Sequence, residues 1–165
     1  MLSLSPSAMS LRSFMHSQSE DVVAGPRPAV LVAEGEDASR DRVASALSCD
    51  GYHVTAVRDG GRLLVRVTDA FVAGLTWDAY ELIVAGVHMP VCGGIDVLEA
   101  LRDVGCRTPA ILIAGSEQEA VHARAKAVNA VVFVKPFDVD DLRTAAVNMI
   151  GRRHSIAHRS VPGLS

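Results

Sequence analysis

The chain has 165 residues, of which 49% are apolar and 21% are charged, and its formal net charge is −3. This length accommodates one domain with a complete hydrophobic core and is short for two. The small negative charge argues against nucleic-acid or anionic-membrane binding driven mainly by electrostatics, and no apolar run approaches the roughly 20 residues that span a bilayer.

The first 28 residues predict a flexible N-terminal tail. They are rich in serine, lack the continuous apolar run of a signal peptide, and end in Gly-Pro-Arg-Pro. We therefore expect a folded domain over residues 29–151, followed by a second flexible tail over residues 152–165, which is basic and unpatterned.

The domain begins with AVLVA at residues 29–33, a continuous apolar run typical of a strand buried on both faces. The next segment places Val43, Ala46 and Leu47 on one face of a helix. Gly51 then predicts the end of that helix.

YHVTAV at residues 52–57 predicts the second strand, and the sequence Asp-Gly-Gly at 59–61 predicts a turn. The segment after the turn has apolar residues at helical spacing. The predicted buried face consists of Leu64, Val67, Ala70 and Phe71.

The third strand is predicted at ELIVA, residues 81–85, and the fourth at AILIA, residues 110–114. Between them, Ile95, Leu98 and Leu101 form a stripe at helical spacing. A glycine again follows the stripe and predicts the end of the helix.

Ser116 and Glu119 have the spacing of a capping box for a fourth helix that continues to Ala127. VVFV at residues 131–134 predicts the fifth strand. Asp138 is in position to cap the last helix, which is predicted to end at residue 150.

Five buried strands that alternate with five helices predict an α/β fold with a doubly wound, five-stranded parallel sheet. Functional sites in such sheets lie at the carboxyl ends of the strands. The residues of interest are therefore those that follow the apolar runs: 34–37, 86–90, 114–116 and 135–136.

Lys135 follows the fifth strand in the sequence VKPF and is expected to need an anionic partner if it lies in the crevice. Glu34, after the first strand, is the natural partner. The alternative for Lys135 is a lysine exposed in a loop without a partner in the crevice. The alternative for Glu34 is a charge that complements the dipole of the first helix.

Other side chains do not form a recognisable reactive group. His88, Cys92 and Cys106 lack the spacing of a zinc site, and no nucleophile-elbow sequence such as GxSxG is present. Three cysteines without paired spacing, Cys49 included, predict free thiols in a reducing cytoplasm. The basic C-terminal residues are expected to be solvated, because no aromatic residues interleave with them.

Four pieces of the chain, in order, resemble the receiver domain of bacterial two-component response regulators, which has a flavodoxin-like fold. They are VLVAEGEDASRDRVASALSCDGYHV, ELIVAGVHMPVCGGIDVLEALR, TPAILIAG and VVFVKPFDVDDL, which together lie between Ala29 and Ile150. The resemblance implies phosphoryl transfer from a histidine kinase to an aspartate, with a divalent cation held by acidic residues and the phosphoryl oxygens bound by a hydroxyl and a lysine.

Carried over residue by residue, most of that machinery is missing from this sequence. The acceptor aspartate, four residues before Pro90, falls on Gly86. The acidic pair after the first strand falls on Glu34 and Gly35, and the hydroxyl position falls on Ala114.

Two further positions of the family also differ. The aromatic switch residue falls on Val132, and the acid before the third helix falls on Gly93. Glu34, Lys135 and Pro136 are the family residues that remain.

Nearby acids do not restore the site. Glu81 opens the third strand, so at about 3.3 Å per residue it is expected roughly 16 Å from Gly86. Glu36 or Asp37 could supply an acid near Glu34 but would not replace the nucleophile. We therefore expect no metal or other cofactor, with Glu34 as the carried-over contact for any residual magnesium, and a Glu34–Lys135 pair within about 4 Å.

The sequence thus predicts a degenerate receiver, a pseudo-receiver without enzymatic activity that acts by phosphorylation-independent protein binding in two-component signalling. The predicted contact surface covers residues 116–150, including Glu117, His122, Arg124 and Lys126. Its expected partner is a histidine kinase or another regulator, with a homodimer also open. Two alternatives are a receiver with an unusual acceptor such as His88 and a domain that binds a small molecule in its emptied crevice.

Overall fold

A computed structural model describes residues 26–116 and 118–159, and for residues 157–159 it describes the main chain alone. The predicted N-terminal tail lies outside these residues except for 26–28. The strands are β1 Ala29–Ala33, β2 His53–Val57, β3 Leu82–Gly86, β4 Ala110–Ala114 and β5 Ala130–Val134. The helices are α1 Asp37–Cys49, α2 Gly60–Val72, α3 Gly94–Asp103, α4 Glu119–Ala127 and α5 Val139–Arg159.

All five strands are parallel and lie in the order β2-β1-β3-β4-β5. The predicted doubly wound sheet is therefore confirmed. Because side chains alternate along a strand, each inner strand supplies both faces of the sheet. In β1, Leu31 packs into the core under α2, α3 and α4, while Val30 packs into the core under α1 and α5.

The bounds of β1 and β4 are the predicted ones, and those of the other strands differ by a residue. The turn predicted at 59–61 is wrong, because Asp59 caps α2 by accepting a 2.7 Å hydrogen bond from the main-chain N–H of Arg62. Gly60 is the first residue of the helix.

The predicted buried face of α2 is wrong in part. Leu63 and Val67 are buried, whereas Leu64 and Phe71 are 41% and 43% exposed. Apolar residues occupy both sides of this helix, so spacing alone cannot identify the side that meets the sheet. In α3, by contrast, the predicted stripe of Ile95, Leu98 and Leu101 is buried.

The predicted capping box of α4 is absent. Gln118 is the N-cap and makes no side-chain capping bond, so Glu119 is the first helical residue and not the third. The cap of α5 is as predicted, because the Asp138 carboxylate accepts a 2.9 Å hydrogen bond from the N–H of Asp140.

Helix α5 continues through Arg159, so residues 152–159 are helical where the sequence predicted a tail. Tertiary contacts hold this extension. Arg153 donates hydrogen bonds to the carbonyls of Tyr80, at 2.6 Å, and Asp78, at 3.1 Å. The ring of His154 lies 3.2 Å from the Glu81 carboxylate.

Within the described ranges, no helix is both long and apolar enough to cross a bilayer. The three cysteines are unpaired, as predicted: Cys49 is exposed, Cys92 is half-buried and Cys106 is buried.

Candidate functional site

The carboxyl ends of the strands bring the sequence-predicted residues to one edge of the sheet. Gly86 ends β3, and Ala114 ends β4. Glu34 follows β1, and its carboxylate lies against Gly86. Lys135 follows β5 and its N–H donates a 2.8 Å hydrogen bond to the carbonyl of Ala114. The crevice at this edge is therefore formed by the residues that the sequence predicts.

A cluster of three charged side chains lies in this crevice. The Nζ atom of Lys135 is 3.5 Å from Oε2 of Glu34 and 2.8 Å from Oε2 of Glu36. Glu34 is 3% exposed. The predicted Glu34–Lys135 contact within 4 Å is present, and Glu36 joins it. These three residues are called the carboxylate–lysine cluster below.

The two carboxylate oxygens of Glu34 differ in their hydrogen bonding. Oε1 accepts a 3.3 Å bond from the N–H of Glu36, and the main-chain carbonyl accepts a 3.0 Å bond from Arg40. Oε2 is buried and accepts no hydrogen bond, although the Lys135 ammonium lies 3.5 Å away. The charge of Lys135 is thus the main compensation for this buried oxygen.

The ionisation of the cluster follows from its geometry. The hydrogen bond from Lys135, together with its charge, holds the pKa of Glu36 below its usual value. Partial burial lowers the pKa of Lys135, but the hydrogen bond to Glu36 and the charges of both glutamates outweigh this effect and raise it. Because Glu36 brings a second carboxylate to Lys135, an isolated Glu34–Lys135 pair does not describe the cluster fully.

At Gly86 the space next to the main chain is narrow. An added Cβ atom would lie 3.1 Å from Oε1 of Glu34 and 3.1 Å from Cγ of Met89. Both are tight contacts for a Cβ atom. The Glu34 and Met89 side chains thus border the Cβ position of residue 86 and would have to shift by a few tenths of an ångström to admit a side chain there.

The glycines before α3 let two main-chain segments approach closely. A Cβ atom at Gly93 would lie 2.6 Å from the carbonyl oxygen of Val87, and one at Gly94 would lie 2.4 Å from that of Gly86. At position 93, which the resemblance assigns to an acid, the backbone leaves no room for any side chain without a shift.

The remaining positions assigned by the resemblance are apolar or peripheral. Ala114 is 2% exposed, and Val132 packs against the core under α3 and α4. Pro136 is exposed and follows a cis peptide bond. His88 is exposed on the loop after β3, beside an open cavity between α3 and α4.

The magnesium ion of the resembled family does not fit the residues present. In the two described stretches, no three carboxylate, histidine or cysteine side chains are grouped closely enough to hold a metal ion. Asp37 is exposed and bonds Arg40, while Glu36 bonds Lys135. Magnesium requires near-octahedral oxygen coordination, which these side chains do not supply.

Sequence reasoning missed a second polar cluster at the opposite edge of the sheet. Arg102 donates to the carbonyls of Val128, Cys106 and Thr108 at 3.0, 2.9 and 2.7 Å. The hydroxyl of the fully buried Thr108 lies 3.2 Å from the Asp78 carboxylate and 3.1 Å from the Tyr80 carbonyl. No sequence motif marks this cluster, because its partners are mostly main-chain carbonyls.

A five-stranded parallel sheet in the order β2-β1-β3-β4-β5 defines a flavodoxin-like α/β domain. The family model for the response regulator receiver domain matches residues 30–147, and the chain belongs to this family. The chain is 30% identical to the response regulator protein PmrA of Pseudomonas aeruginosa over 125 residues, which covers 75% of this chain and 52% of that protein.

The cell cycle transcriptional regulator CtrA of Caulobacter vibrioides is 28% identical over 134 residues, covering 79% of this chain and 51% of that protein. The chain thus spans about half the length of the curated relatives it matches. Among solved structures, the receiver domain of a Vibrio parahaemolyticus LuxO-type repressor superposes with a TM-score of 0.72 at 17% identity, covering 83% of this chain and all of that one. The receiver domain of Francisella response regulator 1452 gives 0.66 at 23% identity, covering 77% and 99%.

Proposed function

We propose that this chain is a pseudo-receiver, which acts in two-component signalling through protein binding and does not accept a phosphoryl group. The observation that carries the proposal is that position 86 is a glycine with the Glu34 carboxylate beside it. A glycine there offers no oxygen nucleophile, and Oε1 of Glu34 lies 3.1 Å from the point where the Cβ atom of an acceptor side chain would sit.

The charge of the crevice supports the same proposal. A transferring phosphoryl group is stabilised by cationic charge, which receivers obtain from a metal ion and a lysine. Here Lys135 is engaged by Glu34 and Glu36, and the two carboxylates leave an excess of negative charge. An incoming phosphoryl group would meet repulsion from both carboxylates.

The lack of switch residues supports a single conformation. Phosphorylation switches work by a local charge that moves a bistable element. Ala114 has no hydroxyl to bond a phosphoryl oxygen, and Val132 has no ring to follow it. We therefore propose that the domain keeps one shape and that partners read that shape.

The proposed contact surface comprises residues 116–150. Glu117 lies outside the described residues. Arg124 is committed to a bridge between two helices, because its guanidinium lies 2.7 Å from Asp96 and 2.8 Å from Glu99 of α3. Lys126 and Val147 are exposed and available to a partner.

The proposed partner is a histidine kinase or another response regulator in the cytoplasm, and the proposed role involves no enzymatic activity or cofactor. Both curated relatives described above are named as regulators, which supports a place in signalling. Capture of partners from the native cell by the tagged chain tests the surface. We expect Lys126→Glu with Val147→Glu to lose the partner, while Val72→Glu on α2 retains it.

Intact-mass measurement after incubation with acetyl phosphate and magnesium tests the lack of phosphorylation. We expect no gain of a phosphoryl group. A gain that disappears in the His88→Ala variant would favour the alternative in which His88 is the acceptor. The other alternative, a domain that binds a small molecule in its crevice, predicts instead that a metabolite, and not a phosphodonor, raises the thermal unfolding temperature.

A further inference from the structure

Helix α2 presents a second apolar face that nothing covers among the described residues. Among the large apolar side chains exposed in the described part of the chain, half lie on α2 or in the turn after it. Their exposed fractions are 41% for Leu64, 55% for Val65, 43% for Phe71, 78% for Val72 and 56% for Leu75. Clusters of this kind mark interaction surfaces more often than scattered single residues do.

The face is uniform in chemistry. Leu64, Val65, Thr68, Phe71 and Val72 follow one side of the helix, and none is charged. The hydroxyl of Thr68 donates a 2.9 Å hydrogen bond to the carbonyl of Leu64, so its polar hydrogen is satisfied within the helix. The stripe, called the α2 stripe below, can thus be buried without an unsatisfied donor at its centre.

The α2 stripe contains a rigid aromatic group. The ring of Phe71 stacks on Trp77, with 3.9 Å between the ring centroids and 4° between the planes. Trp77 itself packs against the core. An aromatic side chain held in place in this way loses little conformational entropy on binding, which is typical of residues that dominate interfaces.

The spacing of the α2 stripe is the same from either end. Two adjacent residues, 64 and 65, are followed by 68 and then by two more adjacent residues, 71 and 72. A two-fold axis through Thr68 places Leu64 against the partner's residue 72 and Val65 against the partner's residue 71. This symmetric spacing suits an isologous contact, in which the same patch of two identical chains meets itself.

We propose that the α2 stripe binds the α2 stripe of a second copy of this chain, with the two helices antiparallel around Thr68. An uncharged stripe meets its own copy without like-charge repulsion. The exposed apolar side chains of the α2 stripe contribute on the order of 400 Å² per copy, so their complete burial removes roughly 800 Å², which is small for a specific interface. A weak, concentration-dependent dimer is therefore expected, and it leaves the 116–150 surface free.

Analytical ultracentrifugation of the full chain over a range of concentrations tests the dimer. We expect the parent chain to dimerise and Val72→Glu to raise the dissociation constant on the order of tenfold or more. Val72 is 78% exposed, so this substitution does not disturb the core. Val147→Glu, a matched change on α5 at a residue 53% exposed, is expected to dimerise like the parent.

If the parent chain is monomeric at every concentration, the proposal is overturned. This holds also if the reason is that another segment of the same chain covers the α2 stripe. Dimerisation of Val72→Glu at the parental affinity would overturn it as well. Loss of the dimer in Val147→Glu would place the contact on the 116–150 surface and would have the same consequence.

Cysteine cross-linking tests the position of the two-fold axis. In a Cys49→Ser background, which removes the exposed native thiol, Thr68→Cys is expected to form a covalent dimer under mild oxidation. Val72→Cys is expected to cross-link poorly, because the two copies of residue 72 lie about 12 Å apart along antiparallel helices. The reverse order of efficiency would contradict an axis through Thr68.

Discussion

The amino and carboxyl edges of the sheet differ in how completely their polar groups are hydrogen-bonded. At the amino edge, Arg102, Thr108 and Asp78 form a dense set of hydrogen bonds in which Arg102 satisfies three carbonyls. At the carboxyl edge, the buried Oε2 atom of Glu34 accepts no hydrogen bond and depends on the charge of Lys135. The amino edge stabilises the fold, whereas the carboxyl edge retains the partly compensated charge that is common at functional sites.

This comparison predicts the largest loss at the amino edge. Arg102→Met removes three hydrogen bonds that a charged side chain donates, and the three carbonyl groups that accept them lose this donor. We therefore expect a loss of about 3 kcal/mol in the free energy of unfolding. Urea denaturation measures it. The control is Arg107→Met, whose exposed guanidinium bonds one carbonyl and is expected to cost less than about 0.5 kcal/mol. Equal losses in the two variants would contradict the assignment.

At the carboxyl edge, Lys135→Met leaves the buried Glu34 carboxylate without its counter-ion. Because Lys135 is partly exposed, we expect a loss of about 2 kcal/mol, below that of a fully buried pair. Adding Glu34→Gln should recover part of the loss, since a neutral amide needs no ammonium. Lys126→Met on α4 is the control for removing a lysine. A loss that Glu34→Gln fails to reduce would show that packing, and not charge, is responsible.

Restoring a carboxylate at position 86 measures how far the crevice has closed. Gly86→Ala adds only the Cβ atom that meets Glu34 and Met89 at 3.1 Å, while Gly86→Asp adds a negative charge beside Glu34. We expect Gly86→Asp to be less stable than Gly86→Ala by about 1 kcal/mol. Magnesium should reduce this difference, because the new carboxylate joins Glu34 and Glu36 as an oxygen ligand. Equal stability of the two variants without magnesium would contradict the expected repulsion between the new carboxylate and Glu34.

The smallest predicted effect is a pH dependence. Lys135 lowers the pKa of Glu36, so this carboxylate contributes stability above its usual pKa near 4.5 that is lost as the pH falls through the lower pKa of the folded state. Thermal unfolding of the parent chain between about pH 6 and pH 3, compared with Glu36→Gln, should show a shallower acid loss in the variant. Parallel curves would exclude a contribution from this pair.

The sequence was informative where the pattern is local. The continuous apolar runs of β1 and β4 predicted their bounds. The Glu34–Lys135 contact is not local, and it was predicted from the rule that the carboxyl ends of parallel strands meet at one crevice, although β3 and β4 lie between β1 and β5. The contribution of Glu36 could not be deduced, because it depends on the path of the loop before α1. The length of α5 was missed because Arg153 holds it through carbonyls 73 and 75 residues away in sequence.

The central claim is that this receiver keeps one conformation without phosphorylation. Backbone NMR of the full chain, recorded before and after addition of magnesium with beryllium fluoride as a phosphoryl mimic, tests it most directly. We predict that the amide shifts of residues near Glu34, Gly86, Ala114 and Lys135 stay essentially unchanged. Widespread movement of peaks across α4, β5 and α5 would contradict the account.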